Sequence, residues 1–333
     1  MDLFKWIDDN LRPEECTSVE LLYDCVKSQS GESLPVIYRP FDPGERSHWC
    51  DRGAMLDFLH ATRAKGGWVL DFGPGDGWPS LIIAPHVGHV VGVDGSDLRV
   101  RVCRDNAGRL GIDNVEFLRV GPGERLPFDN ASFDGVLAAS SVEQVPDPKA
   151  SLGEFYRVLK PGGRLRMTYE DLDRYRDSSR YDTWLWSIDG RLTRLVLYDR
   201  HIEDEYAVMY GITFSGSPEG VGLPLNSSGA LPFEKITVEI LERLRSRVSG
   251  ALSCRLTHPS GRTFSEWLNE AGFSEVIPSH SGVHFAGELF DRIPPAQRPG
   301  DIDAVDALLS PAVSVVVEMR APLASNPWIT AAK

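Results

Sequence analysis

The stretch Val69-Leu70-Asp71-Phe72-Gly73-Pro74-Gly75-Asp76-Gly77 runs from an apolar, strand-like segment directly into three alternating glycines. Such a turn lets backbone N–H groups and a helix N-terminus approach a nucleotide-like ligand, because no Cβ stands in the way. The nicotinamide fingerprint GxGxxG fails here, since Trp78 and Ser80 occupy the third positions after Gly75 and Gly77. The turn therefore indicates a nucleotide-like ligand and disfavours a dinucleotide.

Around this turn, residues 66–170 alternate between short β-branched runs and helix-like segments. The alternation predicts a parallel sheet with crossover helices. Pro161-Gly162-Gly163 is the expected stop signal for the last helix of this region. Strands are predicted at 68–71, 90–94, 115–118, 133–137 and 164–168, and helices at 98–110 and 148–159.

The regions on either side have a different pattern. Helices are predicted ahead of the core at about 3–10, 17–28 and 48–62. After the core, Asp189-Gly190 separates two strand-like runs and supplies the positive φ angles of a hairpin turn. The remaining predictions are a third antiparallel strand at 206–214, a loop at 215–232, helices at 236–248 and 263–271, and strands at 275–278 and 313–319 separated by a proline-containing helical insert.

Composition and charge restrict the partners of the chain. Its 333 residues include 35 Lys and Arg against 48 Asp and Glu, so the formal net charge is -13. A polyanion such as DNA or an anionic bilayer would be repelled, so we expect neither a nucleic-acid nor a membrane partner. Five cysteines without a CxxC pair fit reduced thiols. Because the N-terminus is acidic and no window is apolar enough to span a membrane, a cytoplasmic location is expected.

Signatures of several other enzyme classes are missing from the sequence. It contains no GxxxxGK[ST] phosphate loop, no GxSxG nucleophile elbow and no HExxH zinc helix. The run His201-Ile202-Glu203-Asp204-Glu205 is compatible with a metal, but three successive acids are more typical of a solvated turn. We therefore expect no metal site and a small-molecule partner.

Four further motifs follow the glycine turn at Val90–Asp94, Pro122–Phe128, Ser140–Pro148 and Val158–Leu165. In this order and spacing, the five motifs resemble the class I S-adenosylmethionine-dependent methyltransferases, especially the small-molecule branch called methyltransferase type 11 or UbiE-like. The resemblance covers about 66–170 and, more weakly, 262–320. It implies an α/β fold with a doubly wound, mostly parallel seven-stranded Rossmann-like methyltransferase sheet and an inserted α+β lid.

The resemblance also implies a cofactor, S-adenosyl-L-methionine, whose product is S-adenosyl-L-homocysteine. In the family, the glycine turn holds the methionine part, and the acid that ends the second strand binds the ribose hydroxyls. Pro122 stands where an Asp often contacts the adenine amino group, and proline offers neither a charge nor an N–H. The cofactor-binding residues implied are Asp71, Gly73, Pro74, Gly75, Asp94, Gly95, Gly123, Glu124 and Ser140.

Methyl transfer from a sulfonium is a direct displacement, so the protein mainly aligns the acceptor and excludes water. A general base is needed only where the acceptor must lose a proton. Glu143 after the fourth strand and Glu170 after the fifth are the catalytic candidates, since both follow strands at the same sheet edge. Ordinary loop roles for both residues stay open.

Residues 171–260 are rich in aromatic side chains. These side chains could line a pocket for an aromatic or apolar acceptor, or they could form the inward face of the hairpin sheet. The predicted function is methyl transfer to a small organic acceptor, with O-, N- or C-methylation open. The alternatives are an RNA or protein methyltransferase and a cofactor-binding protein without transferase activity, and an oligomer is compatible with each.

The predicted division of the chain has four parts. They are a helical N-terminal cover at 1–65, an S-adenosylmethionine-binding core at 66–170, an inserted substrate lid at 171–260, and a C-terminal completion of the core sheet with a helical insert at 261–333.

Overall fold

The computed structural model describes residues 2–24, 41–176, 180–188 and 190–333. The chain divides into two compact units. The small unit comprises Met1–Lys27, Gln144–Pro146 and Leu172–Pro259, and the large unit comprises Ser28–Glu143, Asp147–Asp171 and Ser260–Lys333. The predicted N-terminal cover at 1–65 is therefore not one piece, because its first helix packs within the small unit.

The helices and strands define the architecture of both units. Among the described residues, no helix combines the length and the apolar character that crossing a membrane requires. The α-helices are α1 (Leu3–Leu11), α2 (Arg46–Thr62), α3 (Ser80–Ile83), α4 (Asp97–Leu110), α5 (Pro148–Val158), α6 (Val238–Leu244), α7 (Gly261–Glu270), α8 (Gly282–Arg292) and α9 (Ile302–Val316). The strands are β1 (Glu14–Glu15), β2 (Trp68–Phe72), β3 (His89–Asp94), β4 (Val115–Arg119), β5 (Phe133–Ala139), β6 (Leu159–Thr168), β7 (Tyr181–Ser187), β8 (Leu192–His201), β9 (Tyr206–Ser215), β10 (Val248–Thr257), β11 (Ser274–Ser279) and β12 (Trp328–Ala332).

The large unit is built on a seven-stranded sheet with the strand order β4, β3, β2, β5, β6, β12, β11. The neighbours from β4 to β6 are parallel, whereas β12 runs antiparallel to both β6 and β11. From β2 the sheet extends through β3 in one direction and through β5 in the other, so the chain winds both ways from the centre. The predicted doubly wound, mostly parallel α/β sheet is confirmed.

Helices cover both faces of the large sheet. α2, α8 and α9 pack on one face, with Phe58 of α2 in that core, and α5 and α7 pack on the other through Phe155 and Phe264. A buried ion pair joins α2 to β6. Asp57 accepts hydrogen bonds from Arg166 Nε at 2.7 Å and Nη2 at 2.8 Å, and both side chains are fully buried. The position of α2 on the sheet is therefore fixed by charge as well as by apolar packing.

The small unit contains a five-stranded sheet with the order β1, β10, β9, β8, β7. The strands from β7 to β10 are antiparallel neighbours, and β1 runs parallel to β10. The predicted hairpin and third strand are confirmed; Gly190 has a φ of +78°, while Asp189 lies outside the described residues. Trp6 and Ile7 of α1 are buried together with Leu197 of β8, which places α1 in this unit.

The last strand of the large sheet is not where the sequence predicts it. The valine-rich run at 313–319 is predicted as a strand, but α9 extends through most of it. Val305, Leu309 and Val313 recur every four residues and are buried together, so the helical period outweighs the β preference of the valines. The strand that completes the sheet is β12, for which no prediction exists.

Smaller corrections concern three other segments. The predicted helix at 236–248 ends as α6 at Leu244, and β10 follows where no strand is predicted. Pro161-Gly162-Gly163 lies inside β6 rather than after a helix, because α5 already ends at Val158. Of the predicted helix at 17–28, the described part contains a π-helical turn at Val19–Tyr23, and residues beyond 24 lie outside the described part of the chain.

Candidate functional site

The candidate site lies at the carboxyl edge of the large sheet, where β2, β3 and β5 end side by side. Phe72 of β2 pairs with Val93 on one side and with Ala138 on the other. Gly73, the residue after β2, and Asp94, the last residue of β3, therefore lie at the same level. The register thus brings the sequence-predicted loops together at one edge.

The turn after β2 has no room for a side chain at its first glycine. Gly73 has a φ of +74°, and a Cβ at this position would lie 2.4 Å from Ser141 Cβ. Ser141 Oγ donates a hydrogen bond to the Phe72 carbonyl at 2.5 Å. Further along the turn, the Gly77 N–H donates to the Pro74 carbonyl at 2.9 Å, and Gly77 also has a positive φ of +110°. The loop after β5 is therefore held directly against the glycine turn.

Asp71, near the end of β2, is a fully buried carboxyl with only one oxygen hydrogen-bonded. Its Oδ2 accepts hydrogen bonds from Ser80 N–H at 3.0 Å and from Ser80 Oγ at 2.5 Å. Its Oδ1 is buried and accepts no hydrogen bond from any residue that the structure describes. Burial raises the pKa of Asp71 to about 7; the charge of Asp94 adds to the rise, and the Ser80 hydrogen bonds oppose it. Buried polar atoms are normally paired, so Oδ1 is suited to receive a donor from a ligand.

Asp94 is held at the junction of β3 and α4. The Ser96 N–H donates a hydrogen bond to Asp94 Oδ1 at 2.9 Å, across the intervening Gly95. Ser96 is also the N-cap of α4, since its Oγ accepts a hydrogen bond from the Arg99 N–H at 3.2 Å. These contacts fix a half-buried carboxylate beside the glycine turn.

The loop after β4 contains Gly123 and Glu124, which the resemblance assigns to the cofactor. Gly123 has a φ of +80°. The Glu124 carboxylate accepts a hydrogen bond from the Gly121 N–H at 2.9 Å, and a Cβ on Gly121 would lie 2.6 Å from that carboxylate. Glu124 therefore stabilises its own turn, and its contact with a ligand stays a prediction.

The loop after β5 begins at Ser140, an exposed residue with a φ of +51°. The Ser140 N–H donates to the Thr168 carbonyl at 3.1 Å, and the two hydroxyl oxygens lie 3.1 Å apart. These contacts join the ends of β5 and β6. Ser140 is thus placed at the site edge with its backbone fixed.

The two predicted catalytic acids are in direct contact. Glu143 Oε1 accepts a hydrogen bond from the backbone N–H of Glu170 at 2.8 Å. Glu143 is fully buried, and its Oε2 accepts no hydrogen bond from the described part of the chain. Burial raises the pKa of Glu143 to about 7, and the charge of Glu170 acts in the same direction, against hydrogen bonds from backbone N–H groups.

A third carboxyl with a similar environment was not predicted from the sequence. Asp51 lies on α2 and interacts with Trp78, which directly follows the glycine turn. Burial raises the pKa of Asp51 to about 7, although the charge of Arg52 and a hydrogen bond from the Trp78 side chain lower it. Asp51 Oδ2 is buried without a hydrogen-bond donor among the residues described here. A single acid in a helix carries no sequence signal for such a role.

The segment that carries the glycine turn matches a known protein family. Residues 70–167 match a family model described as a methyltransferase domain. Residues 70–167 form a methyltransferase domain. This region contains the glycine turn together with Asp71, Asp94, Ser140 and Glu143.

Curated relatives share the methyltransferase domain. The ubiquinone/menaquinone biosynthesis C-methyltransferase UbiE of Brucella anthropi is 32% identical over 156 residues, which are 45% of this chain and 58% of that protein. An arsenite methyltransferase of Halobacterium salinarum is 35% identical over 111 residues, which are 32% of this chain and 28% of that protein. The chain thus spans little more than half the length of the first relative.

A solved structure resembles the chain beyond the methyltransferase domain. The CcbJ methyltransferase from Streptomyces caelestis covers 94% of this chain, and 97% of its own chain is matched. The TM-score is 0.52 at 15% sequence identity. At this identity the similarity concerns the fold alone, and it includes segments before residue 70 and after residue 167.

Proposed function

We propose that this chain transfers a methyl group from S-adenosyl-L-methionine to a small organic acceptor. The observation that carries the proposal is the juxtaposition of Asp71, the glycine turn and Asp94 at the carboxyl edge of a methyltransferase domain. Asp71 Oδ1 has no donor among the described residues. A cationic ligand with N–H donors would fit this carboxyl oxygen.

In this proposal the two strand-end acids have separate roles. Asp71 and the glycine turn hold the methionine part of the cofactor, where an ammonium group supplies donors for the carboxylate. Asp94 accepts hydrogen bonds from the ribose hydroxyls. Asp51 supplies a further carboxyl beside Trp78, from outside the methyltransferase domain. The remaining cofactor contacts are proposed for Pro74, Gly75, Gly95, Gly123, Glu124 and Ser140.

When bound, S-adenosyl-L-methionine supplies a methyl group on a positively charged sulfur for direct displacement. Where the acceptor must lose a proton, we propose that Glu143 Oε2 accepts it. A base with a pKa near 7 is matched to proton transfer at neutral pH. The backbone N–H of Glu170 holds the other carboxylate oxygen of Glu143 and so orients it. Because this contact involves the backbone, the Glu170 side chain is the weaker catalytic candidate.

The acceptor is proposed to be aromatic or apolar, on the basis of aromatic side chains in the small unit. Part of that aromatic content is explained by packing, since Tyr198 and Phe214 are buried in the sheet cores. Trp184 and Trp186 are half-buried and so keep surface for a ligand. The curated relatives include a C-methyltransferase and an arsenite methyltransferase, so similarity does not select the acceptor atom.

A labelled-methyl assay tests the transfer step and the role of Glu143. The protein is incubated with methyl-tritiated S-adenosylmethionine and a panel of phenols, amines and acidic carbon compounds, and the labelled products are counted. We expect turnover that rises with pH through about 7, and Glu143→Gln should lower the rate by roughly 100-fold and remove this rise. Cofactor affinity should not change in that variant.

Glu170→Gln is the matched control, because it keeps the backbone N–H that binds Glu143. It should retain turnover that rises with pH, with the rise moved to slightly lower pH because the charge of Glu170 no longer raises the pKa of Glu143. Equal rates for Glu143→Gln and the unmodified protein with a proton-losing acceptor would refute the assignment of the base. Cofactor binding without turnover on any compound of the panel would favour a cofactor-binding protein without transferase activity.

A further inference from the structure

Two side chains of α4 hold the backbone of the glycine turn. Asn106 Nδ2 donates a hydrogen bond to the Asp76 carbonyl at 2.7 Å, and Cys103 Sγ donates to the Gly75 carbonyl at 3.4 Å. Cys103 is fully buried, and Asn106 is 6% exposed. Burial raises the pKa of Cys103 well above its usual value, so the thiol keeps the proton that it donates. Both carbonyls are therefore held on the α4 side of the turn.

The amide of Asn106 is explained by its contact with the turn rather than by the packing of α4. Asparagine is a weak helix former, and a buried amide without a hydrogen bond costs free energy. On the buried side of α4, Val100, Cys103 and Ala107 form an apolar cluster with Leu81 and Phe117. Asn106 does not belong to that cluster, and its hydrogen bond to the Asp76 carbonyl satisfies a buried group on each side.

A chain of peptide groups leads from Asn106 through the turn. The C=O and N–H of a trans peptide point in opposite directions, and the peptides of this segment before Trp78 are trans. The peptide that presents the Asp76 carbonyl to Asn106 has the Gly77 N–H at its other end, and this N–H donates to the Pro74 carbonyl at 2.9 Å. The peptide of that carbonyl ends in the Gly75 N–H. We call this series, from the Asn106 amide to the Gly75 N–H, the Asn106 relay.

The Gly75 N–H is the free end of the Asn106 relay. It donates no hydrogen bond within the part of the chain that the structure describes, and Gly75 is half-buried with a φ of +62°. Hydrogen bonds in a series polarise one another, so the relay strengthens this last donor. An N–H at a glycine lets an anionic acceptor approach the backbone closely. Asp71 Oδ1, on the strand before the turn, has the opposite character, since it lacks a donor.

We propose that Asn106 is a positioning residue of the cofactor site, and that the Asn106 relay presents the Gly75 N–H to the carboxylate of the cofactor's methionine part. Asp71 would receive the ammonium group of the same part, so that each charge of one amino acid meets a suitable partner. Cys103 supports the relay, because it holds the carbonyl of the peptide that follows Gly75. The inference rests on the proposed function, since it takes S-adenosylmethionine as the ligand.

Two ligands that differ only in the carboxylate test this role. S-adenosylhomocysteine has both a carboxylate and an ammonium group, whereas its decarboxylated analogue, S-adenosyl-3-thiopropylamine, keeps only the ammonium group. In isothermal titration, Asn106→Ala should raise the dissociation constant of S-adenosylhomocysteine by at least about tenfold and that of the analogue by less than about twofold. Cys103→Ala removes a weaker donor and should act in the same direction by a smaller factor. Cys103→Ser keeps a donor and should bind both ligands like the unmodified protein.

Ala107→Gly is the matched control, because it weakens the same helix beside Asn106 without removing a hydrogen-bonding group. It should leave the ratio of the two dissociation constants unchanged. Asp71→Asn should weaken both ligands, because both keep the ammonium group. Circular dichroism shows whether each variant is folded, and the two Cys103 variants decide the question where Asn106→Ala does not fold.

The outcomes separate this inference from the proposed function. Equal weakening of both ligands by Asn106→Ala, or no weakening of either, would overturn the positioning role and leave the proposed function standing. With the Cys103 pair, the same result for Cys103→Ala would overturn it. Absence of S-adenosylhomocysteine binding by the unmodified protein would instead refute the proposed function, and this inference with it.

Discussion

Replacement of Asp71 by asparagine should show separately what this residue does for the stability of the fold and for ligand binding. Asp71 is fully buried, and its pKa is raised from 3.8 to about 7. A carboxyl with a higher pKa in the folded chain binds more protons when folded, so the free energy of unfolding falls as pH rises through this range. Asparagine keeps an oxygen that can accept the hydrogen bonds from Ser80 but cannot ionise. The variant should therefore lack the Asp71 part of this pH dependence.

The magnitude follows from the titration. With a pKa of about 7, the folded chain holds on average about half a proton at Asp71 between pH 6 and pH 8, and the unfolded chain holds almost none. Half a proton over two pH units corresponds to about 1.4 kcal/mol. Between pH 6 and pH 8, the free energy of unfolding of the unmodified protein should fall by about 1.4 kcal/mol relative to that of Asp71→Asn. The difference in free energy of unfolding between the two proteins should therefore move in favour of the variant from pH 6 to pH 8, although the variant binds the cofactor more weakly.

Urea denaturation followed by tryptophan fluorescence at pH 6, 7 and 8 measures the difference. Asp51 and Glu143 contribute slopes of the same sign, but they are present in both proteins and cancel. Asp105→Asn, at an exposed position of α4, controls for the loss of a surface charge. Parallel stability profiles for the unmodified protein and Asp71→Asn would refute the reasoning, because Asp71 would then titrate equally in the folded and unfolded chains.

Two further predictions concern the turn and the core. Gly73→Ala should destabilise the protein by about 1 to 3 kcal/mol and weaken cofactor binding, because φ is +74° and the new Cβ would meet Ser141. The control is Gly153→Ala in α5, where a Cβ meets nothing within 4 Å. This variant should not destabilise the protein. Urea denaturation and calorimetric titration check both, and equal stability of the two variants would contradict the steric argument. Asp57→Ala should cost about 3 to 5 kcal/mol in urea denaturation, because it leaves the Arg166 guanidinium buried without its carboxylate. A cost below about 1 kcal/mol would show that the pair does not hold α2 to the sheet.

The sequence predicts the region from β2 to β6 best, because several independent patterns indicate the same elements there. From β2 to β6, strand-like runs alternate with capped helices, and the glycine turn marks where the first strand ends. In a parallel sheet, this is enough to place Asp71 and Asp94 at one edge. The structure confirms their adjacency through the pairing of β2 with β3.

Other parts depend on contacts that no local pattern records. The valines of α9 are compatible with a strand until the burial of every fourth residue is known. β12 is short and depends on its antiparallel pairing with β6, which comes from a distant part of the chain. Asp51 is an ordinary helical acid in sequence, and only the packing of α2 brings it to Trp78. Tertiary packing therefore decides the elements for which local propensity is ambiguous.

Isothermal titration with S-adenosylmethionine and S-adenosylhomocysteine tests the central claim most directly. We predict one binding site per chain for each compound, and Asp94→Ala should weaken both affinities by at least about tenfold because it removes the acceptor of the ribose hydroxyls. Asp97→Ala, three residues further along and exposed on α4, should leave both affinities unchanged. Absence of binding by both compounds at millimolar concentration, or equal affinities for Asp94→Ala and the unmodified protein, would contradict the proposed cofactor site.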